Sequence, residues 1–404
     1  MTATETAEAA PRRAKAARHE RILVVDDVED NRNLLIRRLE REGFRDIVQA
    51  GDGEEALARI AGASFDLVLL DVMMPRCDGY QVLERLKGLG RLHELPVIVI
   101  SALNEIDSVV RCIQLGAVDY LPKPFNPTLL RARVSASLDQ KRLRDEVRAH
   151  LTRLEEELNA ARTLQMSMVP VDFPVPSAER PVEVFAFMEP AREVGGDLYD
   201  FFFTADGRLA FAIGDASGKG VPAAMFMART KNLLRLVSSF MEVGGTLSPG
   251  DVLTRVNQEL CEGNPTMMFV TLFFGVFDPK SGEVLFSNAG HDPPCRLDGK
   301  GVTLAGGAQG MALGIAPGGR YQTGSVRLAP GETLYLYTDG ITEASDPADQ
   351  LFGKDRLAAA LQELSAAPLS GLVRGIVDSV RHFAQGAPQS DDITALAVRG
   401  VAGR

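Results

Sequence analysis

The sequence predicts an α/β domain with a doubly wound parallel sheet, then a long helix, then an α+β domain. Three observations support this prediction. Residues 21–125 alternate short apolar runs with helical patterns, residues 126–168 contain no Gly and a single Pro, and residues 182–400 carry apolar runs separated by Gly and Asp turns. With 404 residues, the chain is long enough for two or three domains of ordinary size.

The first domain is assigned to residues 21–138. Its runs RILVV, DLVLL and PVIVI are apolar throughout, which is typical of strands whose two faces are both covered by helices. Helical patterns such as NRNLLIRRLER lie between these runs, and the alternation indicates βαβ units and a parallel sheet. The Ala-rich residues 1–20 lack an apolar segment, and we expect them to form a disordered tail.

Residues 139–169 are assigned to a helical linker. Its seam positions recur at alternating spacings of four and three residues: Val147, Leu151, Leu154, Leu158, Ala161, Gln165 and Met168. Flanking Glu and Arg residues complete the pattern of a short coiled coil, which favours a homodimer through this segment. An amphipathic helix packed on its own domain is the alternative, because the seam spans only about three heptads.

The second domain is assigned to residues 170–404. Strand-like runs such as VEVFAF, RLAFAIGD and MFVTLFFGVF are followed by hairpin-like turns such as DPKSGE, which favours antiparallel pairing. Helical patterns lie near Pro222–Phe240, Pro249–Cys261, Lys354–Leu364 and Leu369–Phe383. We therefore predict an α+β domain in which helices pack on sheets.

Composition excludes several functions. A net charge of -10 argues against a nucleic-acid surface, and no apolar run reaches the length of a membrane span. We therefore expect a cytoplasmic protein that binds neither nucleic acid nor membrane. The four cysteines are too far apart to predict a zinc site or a disulfide framework: Cys77, Cys112, Cys261 and Cys295.

Five residues of the first domain are predicted to meet at one sheet edge, because each follows a predicted strand: Asp26, Asp27, Asp71, Ser101 and Lys123. An Asp pair alone is usually a helix cap or a turn. Carboxylates crowded together, however, stay ionised only around a hard cation such as Mg²⁺. Asp71 can then act as a nucleophile toward phosphate, with Lys123 neutralising charge.

The acidic pair, LLDVMMPRCDGY, Ser101 and DYLPKPF resemble, in order and spacing, the receiver domain of bacterial response regulators over about residues 20–138. The resemblance implies a flavodoxin-like fold and phosphorylation of Asp71 by a sensor histidine kinase or phosphotransfer protein. Further implied residues are the Mg²⁺ ligands Asp26, Asp27, Asp71 and the Met73 carbonyl, the activation residues Ser101, Tyr120 and Lys123, and a cis Lys123-Pro124 bond.

Four acidic motifs carry the chemistry of the second domain: EVGGDLYD (Asp197, Asp200), GDASGKG (Asp215), LYTDGITEA (Asp339, Glu343) and SDDIT (Asp391, Asp392). Any one of them would be an ordinary turn. Together they offer only oxygen ligands, which indicates Mg²⁺ or Mn²⁺ rather than zinc. Two such ions can activate water for attack on a phosphoryl group, so that no protein nucleophile is needed.

Residues 182–400 resemble the SpoIIE- and RsbU-like PP2C-type serine phosphatases of bacterial partner-switching systems, through VGGDLYDFF, GDASGKGVPAAMFM, NAGHDPP, LYTDGITEA and DDIT. The resemblance implies an αββα sandwich and, as substrate, an anti-sigma factor antagonist phosphorylated on Ser or Thr. It also implies two Mn²⁺ or Mg²⁺ ions and the ligands Asp197, Asp215, Asp339, Asp391 and the Ala216 carbonyl, with Asp392 disfavoured.

The general acid of the second domain is left open. Animal-type members of the superfamily have a His just after the second Asp motif, where this sequence has Ser217 and Lys219. His291 is a candidate, although a His that supports a turn is the simpler interpretation.

Phosphorylation of Asp71 is expected to act through the long helix on the second domain, with a sign that the sequence does not give. The competing hypothesis is a non-enzymatic adaptor with a silent phosphatase-like domain. The intact set of four Asp positions disfavours the adaptor hypothesis.

Overall fold

The computed structural model describes residues 18–102, 106–243, 247–306 and 310–402. The chain forms two compact units, Met1–Arg153 and Leu154–Arg404. The first is a parallel α/β unit and the second contains two antiparallel sheets, so the predicted fold classes are confirmed. Of the predicted tail, residues 1–17 lie outside the described residues, and Arg18 already begins the first strand, where its N–H donates to the Gly43 carbonyl.

The first unit has a five-stranded sheet of order β2-β1-β3-β4-β5. Its strands are β1 (Arg18–Val25), β2 (Phe44–Ala50), β3 (Leu67–Asp71), β4 (Val97–Ala102) and β5 (Asp119–Lys123). Its helices are α1 (Glu29–Arg41), α2 (Gly53–Gly62), α3 (Gly79–Gly88), α4 (Ile106–Leu115) and the beginning of α5 (Pro127–Met168), with a 3₁₀ turn at Arg91–His93. All neighbouring strands pair in parallel.

Continuous apolar strands form this sheet because helices cover both faces. Alternate residues of β1 enter different cores: Leu23 packs in one and Ile22 in the other, and both are fully buried. Because strand side chains alternate between faces, a strand buried on both sides must be apolar throughout. The carboxyl ends of β1, β3, β4 and β5 consequently meet at one edge of the sheet.

The second unit has two antiparallel sheets, ordered β13-β10-β9-β8-β7 and β12-β11-β14-β15-β6. The strands are β6 (Val182–Glu189), β7 (Asp197–Phe203), β8 (Leu209–Ala216), β9 (Val270–Asp278), β10 (Glu283–Ala289), β11 (Cys295–Asp298), β12 (Gly301–Leu304), β13 (Gly324–Arg327), β14 (Thr333–Tyr337) and β15 (Ile393–Gly400). The helices are α6 (Val221–Val243), α7 (Pro249–Cys261), α8 (Asp339–Thr342), α9 (Gly353–Glu363) and α10 (Leu369–Ala384).

These elements form four layers. One core joins the two sheets to each other and to α6 and α7; it contains Phe211 of β8 and Leu396 of β15. A second core lies between the other face of the second sheet and helices α9 and α10, and it contains Tyr335 of β14. The arrangement is therefore the αββα sandwich that the resemblance implied.

Helix α5 begins in the first unit and ends in the second. Near its start, Leu130 and Leu138 are buried in the core of the first unit, whereas Leu151 and Leu154 are about half exposed. The predicted long helix is confirmed, and the coiled coil and dimer stay predictions. Among the helices of the described residues, none is long and apolar enough to cross a membrane.

Candidate functional sites

The predicted acidic cluster of the first unit forms at the carboxyl ends of β1 and β3. Oxygens of Asp26, Asp27 and Asp71 all lie within 4.8 Å of one another. Lys123, at the end of β5, places its ammonium 3.0 Å from Asp26 Oδ2 and 2.9 Å from Asp71 Oδ2. Three carboxylates facing one ammonium leave an excess of negative charge, which fits a divalent cation with oxygen ligands.

Burial is the main cause of the unusual electrostatics of Asp71. It raises the pKa of Asp71 to about 6, against the lowering effect of Lys123 and with a smaller raising effect from Asp26 and Asp27. Burial alone would lower the pKa of Lys123, but hydrogen bonds to Asp71 and Asp26 outweigh it and raise the value. A cation at this position would favour the charged form of Asp71 that a nucleophile needs.

The remaining predicted receiver residues lie on or next to the strands β3, β4 and β5. Ser101 is buried at the end of β4, Met73 follows β3 and is exposed, and the Lys123-Pro124 peptide bond is cis. Tyr120 is 36% exposed, with the guanidinium of Arg133 4.8 Å from the centre of its ring.

The four predicted ligands of the second unit come from neighbouring strands of both sheets. Asp197 on β7 pairs directly with Asp215 on β8. Asp339 follows β14 and opens α8, while Asp391 precedes β15, the strand that pairs with β14.

The pKa values of Asp197 and Asp215 are raised by burial and by neighbouring carboxyl groups. Burial raises the pKa of Asp197 well above its usual range, and repulsion from Asp215 adds to this effect. Burial likewise raises the pKa of Asp215 to about 7, followed by repulsion from Asp339, Asp391 and Asp392. Carboxylates that are desolvated and repel one another in this way fit a site for divalent cations. A bound cation would offset both the desolvation of the charged groups and their mutual repulsion.

Asp392 differs from its neighbour Asp391 in the hydrogen bonds that its carboxylate accepts. Its Oδ1 accepts the N–H of Ala191 at 2.8 Å, and its Oδ2 accepts the N–H groups of Gly196 and Asp197 at 2.6 and 3.3 Å. The Asp392 carboxylate therefore fixes the backbone that carries Asp197. The ranking of Asp392 below Asp391 as a ligand, which the resemblance implied, stays a prediction.

Close packing explains the glycines of these motifs. A Cβ at Gly195 would lie 2.3 Å from Asp392 Oδ2, and a Cβ at Gly196 would lie 2.7 Å from the Ala216 carbonyl oxygen. A Cβ at Gly340 would lie 2.0 Å from the Asp392 carbonyl oxygen. Only glycine lets these loops approach closely enough to bring the carboxylates together.

Two residues that sequence reasoning missed support the cleft. Thr338 is fully buried, and its hydroxyl donates to Asp197 Oδ2 at 2.8 Å. Gln165, predicted as a seam residue of the linker, is instead buried against the loop that precedes β7. Its Nε2 donates to the Gly195 carbonyl at 2.6 Å, and its Oε1 accepts the Gly195 N–H at 3.1 Å. Neither contact follows from local sequence, because both partners are distant in the chain.

His291 is held as a structural residue. Its Nε2 lies 3.1 Å from the Tyr337 carbonyl oxygen, which can only accept, so Nε2 carries the proton. Its Nδ1 then accepts from the Thr271 hydroxyl at 3.0 Å. Burial lowers the pKa of His291 to about 4. The turn-supporting interpretation therefore describes this ring better than that of a general acid.

The fold and the two sites define a class: a receiver-type α/β domain followed by an αββα phosphatase-type domain. Residues 22–135 match the response regulator receiver domain family, and residues 205–400 match the Stage II sporulation protein E (SpoIIE) family. The chain therefore combines a response regulator receiver domain with a SpoIIE/PP2C-type phosphatase domain.

Individual relatives agree with this assignment. Protein IcfG of Synechocystis sp. is 34% identical over 63% of this chain and 42% of its own length. Phosphoserine phosphatase RsbU of Bacillus subtilis is 27% identical over 61% of this chain and 70% of its own. The SiaA-PP2C domain of Pseudomonas aeruginosa matches in structure with a TM-score of 0.54 and 25% identity, over 62% of this chain and 98% of that domain. The chain spans about half or less of the first curated relatives it matches.

Proposed function

We propose that this chain is a cytoplasmic response regulator in which phosphorylation of Asp71 controls a metal-dependent protein serine/threonine phosphatase. The observation that supports the enzyme most directly is the set of four proposed ligands in a PP2C-type fold, Asp197, Asp215, Asp339 and Asp391. Burial raises the pKa of the first three, and the charge of Asp391 repels Asp215 and Asp339. A silent adaptor has no need to keep such a costly arrangement.

The four carboxylates, with the Ala216 carbonyl, would hold two Mn²⁺ or Mg²⁺ ions. When bound, these ions supply a water nucleophile at neutral pH and neutralise charge on the phosphoryl group. The protein positions the ligands: Thr338 orients Asp197 by its hydrogen bond, and Asp392 fixes the backbone of Gly196 and Asp197. No side chain has to form a covalent intermediate.

In the receiver, Asp26, Asp27, Asp71 and the Met73 carbonyl would hold Mg²⁺. The Asp71 carboxylate would attack the phosphoryl group of a phosphohistidine on a sensor kinase or phosphotransfer protein. The Asp71 O–P bond forms as the P–N bond breaks, and the imidazole of the histidine leaves. Lys123 already lies 2.9 Å from Asp71 Oδ2 and can neutralise the transferred group. Ser101 and Tyr120 would then respond to the phosphorylated state.

Control is proposed to pass along α5. The buried Gln165 contacts Gly195 through two hydrogen bonds, and Gly195 stands two residues before the ligand Asp197. A shift of this helix end would change the position of Asp197, and a coupling of about 1–3 kcal/mol is enough for regulation. The exposed seam at Leu151 and Leu154 would pair with a second copy.

The proposed substrate is an anti-sigma factor antagonist phosphorylated on Ser or Thr. The similarity to phosphoserine phosphatase RsbU supports this choice. Removal of the phosphate would change which partner the antagonist binds.

The test is Mn²⁺-dependent phosphate release from a phosphoserine-bearing antagonist protein, with and without beryllofluoride as a mimic of phosphorylated Asp71. Asp339→Asn is expected to abolish turnover, whereas the exposed Asp355→Asn is a matched control and should retain it. A beryllofluoride effect on the wild-type rate would give the sign of control. Absence of turnover in both states on several such substrates would favour the adaptor.

A further inference from the structure

Lys219 contacts the opposite side of the phosphatase cleft from the loop that carries it. Its ammonium lies 2.8 Å from Asp391 Oδ2 and donates to the Ser390 carbonyl at 2.8 Å. Within the described part of the chain, no other Lys or Arg forms an ion pair with any of the four proposed ligands. Lys219 also lowers the pKa of Asp215 by its charge.

The backbone fixes where Lys219 stands. The preceding Ser217 is bound twice to Phe269: its N–H donates to the Phe269 carbonyl at 2.8 Å, and its hydroxyl accepts the Phe269 N–H at 2.9 Å. Gly218 and Gly220 have φ angles of 88° and 73°, which strongly favour glycine. The loop therefore presents Lys219 from a turn held at one end by Ser217 and at the other by α6.

The ion pair occupies an oxygen that a divalent cation would use. Asp391 Oδ1 accepts the N–H of Asp392 at 2.9 Å, and Oδ2 faces the Lys219 ammonium. A divalent cation bound to Asp391 would compete with the ammonium for this carboxylate. It would also be repelled by the ammonium, since like charges at short distance destabilise each other.

Asp391 does not depend on Lys219 for its position. Gln389 Nε2 donates to the Asp391 carbonyl at 2.8 Å and to the Glu189 carbonyl at 3.0 Å. Asp392, the next residue, is held by three backbone N–H groups. Removing the Lys219 charge should consequently leave the ligand in place while freeing its oxygen.

We propose that Lys219 is a built-in counter-ion that occupies Asp391 until a divalent cation displaces it, so that its charge sets the cation affinity of the phosphatase site. This inference rests on the proposed function, because it assumes that Asp391 is a cation ligand. It gives Lys219, the Lys of GDASGKG, a role in cation binding that does not require contact with the substrate.

The experiment measures Mn²⁺ binding to the full chain by titration calorimetry, with all proteins carrying Asp27→Asn to weaken the receiver site. Lys219→Met should bind Mn²⁺ about tenfold more tightly at the phosphatase site, because competition and repulsion are both removed. Lys219→Arg keeps the charge and should stay within about twofold of the Lys219 protein. In chelator, Lys219→Met should melt at a lower temperature, since the carboxylates lose their counter-ion.

Lys354→Met is the matched control. Lys354 is exposed and pairs with Asp292 at 2.7 Å, so its loss removes one positive charge without touching a proposed ligand. Its Mn²⁺ affinity should be unchanged. Equal or weaker Mn²⁺ binding by Lys219→Met would overturn the inference, and Lys219→Gln repeats the test if that variant is unstable. If Asp339→Asn removes no Mn²⁺ binding from the Lys219 protein, the proposed metal site itself fails, and the inference fails with it.

Discussion

At the scale of single residues, the carboxylates of the phosphatase cleft differ in the groups that surround their oxygens. Asp392 accepts three backbone N–H groups and stabilises the loop that carries Asp197. Asp339 instead has its pKa raised by burial, then by repulsion from Glu343 and Asp391. The first residue serves the fold, while the second costs stability that bound cations would recover.

This difference between Asp392 and Asp339 predicts that their Asn substitutions have opposite effects on stability when a metal chelator is present. Asp392→Asn should destabilise the second unit by about 1–3 kcal/mol, because the new amide N–H₂ faces backbone N–H groups that have lost their acceptor. Asp339→Asn should leave the melting temperature equal or higher, since it removes a repelling charge. Thermal unfolding followed by circular dichroism distinguishes them, and a stability loss in Asp339→Asn would contradict this account.

His291 predicts a pH dependence of stability. Its pKa is about 4 in the folded protein, below the ordinary 6.5, so the unfolded chain binds the extra proton between these values. The stabilising contribution is complete above pH 6.5 and is lost as the pH falls toward 4. The loss should be about 3 kcal/mol from the two pKa values.

Comparison with His291→Gln isolates this contribution. Asp215 and its neighbours also titrate, but they are present in both proteins, so their effect largely cancels in the difference between the two unfolding free energies. That difference, measured by urea unfolding from pH 7 to pH 4, should shrink as the pH falls. A difference independent of pH would show that His291 has the same pKa in the folded and unfolded states, which would contradict this account.

The sequence could predict the positions of residues that belong to a local motif. Asp71 is the last residue of the apolar strand β3 and Asp215 the second last of β8, so their places at strand ends were predictable. Thr338 and Gln165 act only through partners distant in the chain. No local sequence pattern around Thr338 or Gln165 indicates which distant residue its side chain will hydrogen-bond.

At the scale of elements, strands with long apolar runs were predicted. Short strands, and the seven-residue strands β2, β7 and β10, whose sequences are interrupted by polar residues, were not named. Strands β11, β12 and β13 have four residues each, and β12 and β13 lie at sheet edges, where an apolar pattern is not required. Helix α5 was predicted because 42 residues contain no helix breaker after its first position. Pattern strength therefore decided which elements could be found.

If the signal passes along α5, control of the phosphatase by phosphorylation should depend on how the two ends of this helix are rotated relative to each other. Inserting one Ala between Glu157 and Leu158 rotates the helix end that carries Gln165 by about 100° relative to its start. The beryllofluoride effect on phosphatase rate should then disappear. Inserting seven residues at the same point nearly restores the phase and should preserve the effect. If phosphorylation control survives the single insertion unchanged, α5 does not carry the signal.

At the scale of the whole molecule, two compact units share α5, which passes from one to the other at Arg153 and Leu154. Val147, Leu151 and Leu154 are each more than half exposed there, although they are large and apolar. Apolar side chains aligned at heptad spacing are typical of a helix that pairs with another helix. Because the units have separate cores, α5 is the segment through which a dimer could affect both.

The seam predicts a change of oligomeric state when it is made polar. Leu151→Lys with Leu154→Lys should convert a dimer to a monomer in sedimentation equilibrium, because charges at facing seam positions repel. Leu164→Lys is the matched control: Leu164 is 62% exposed on the same helix but outside the seam, so the dimer should remain. If the double variant is monomeric and the beryllofluoride effect is lost with it, control requires the dimer. If the wild type is already a monomer in both states, Gln165 must transmit the signal within one chain.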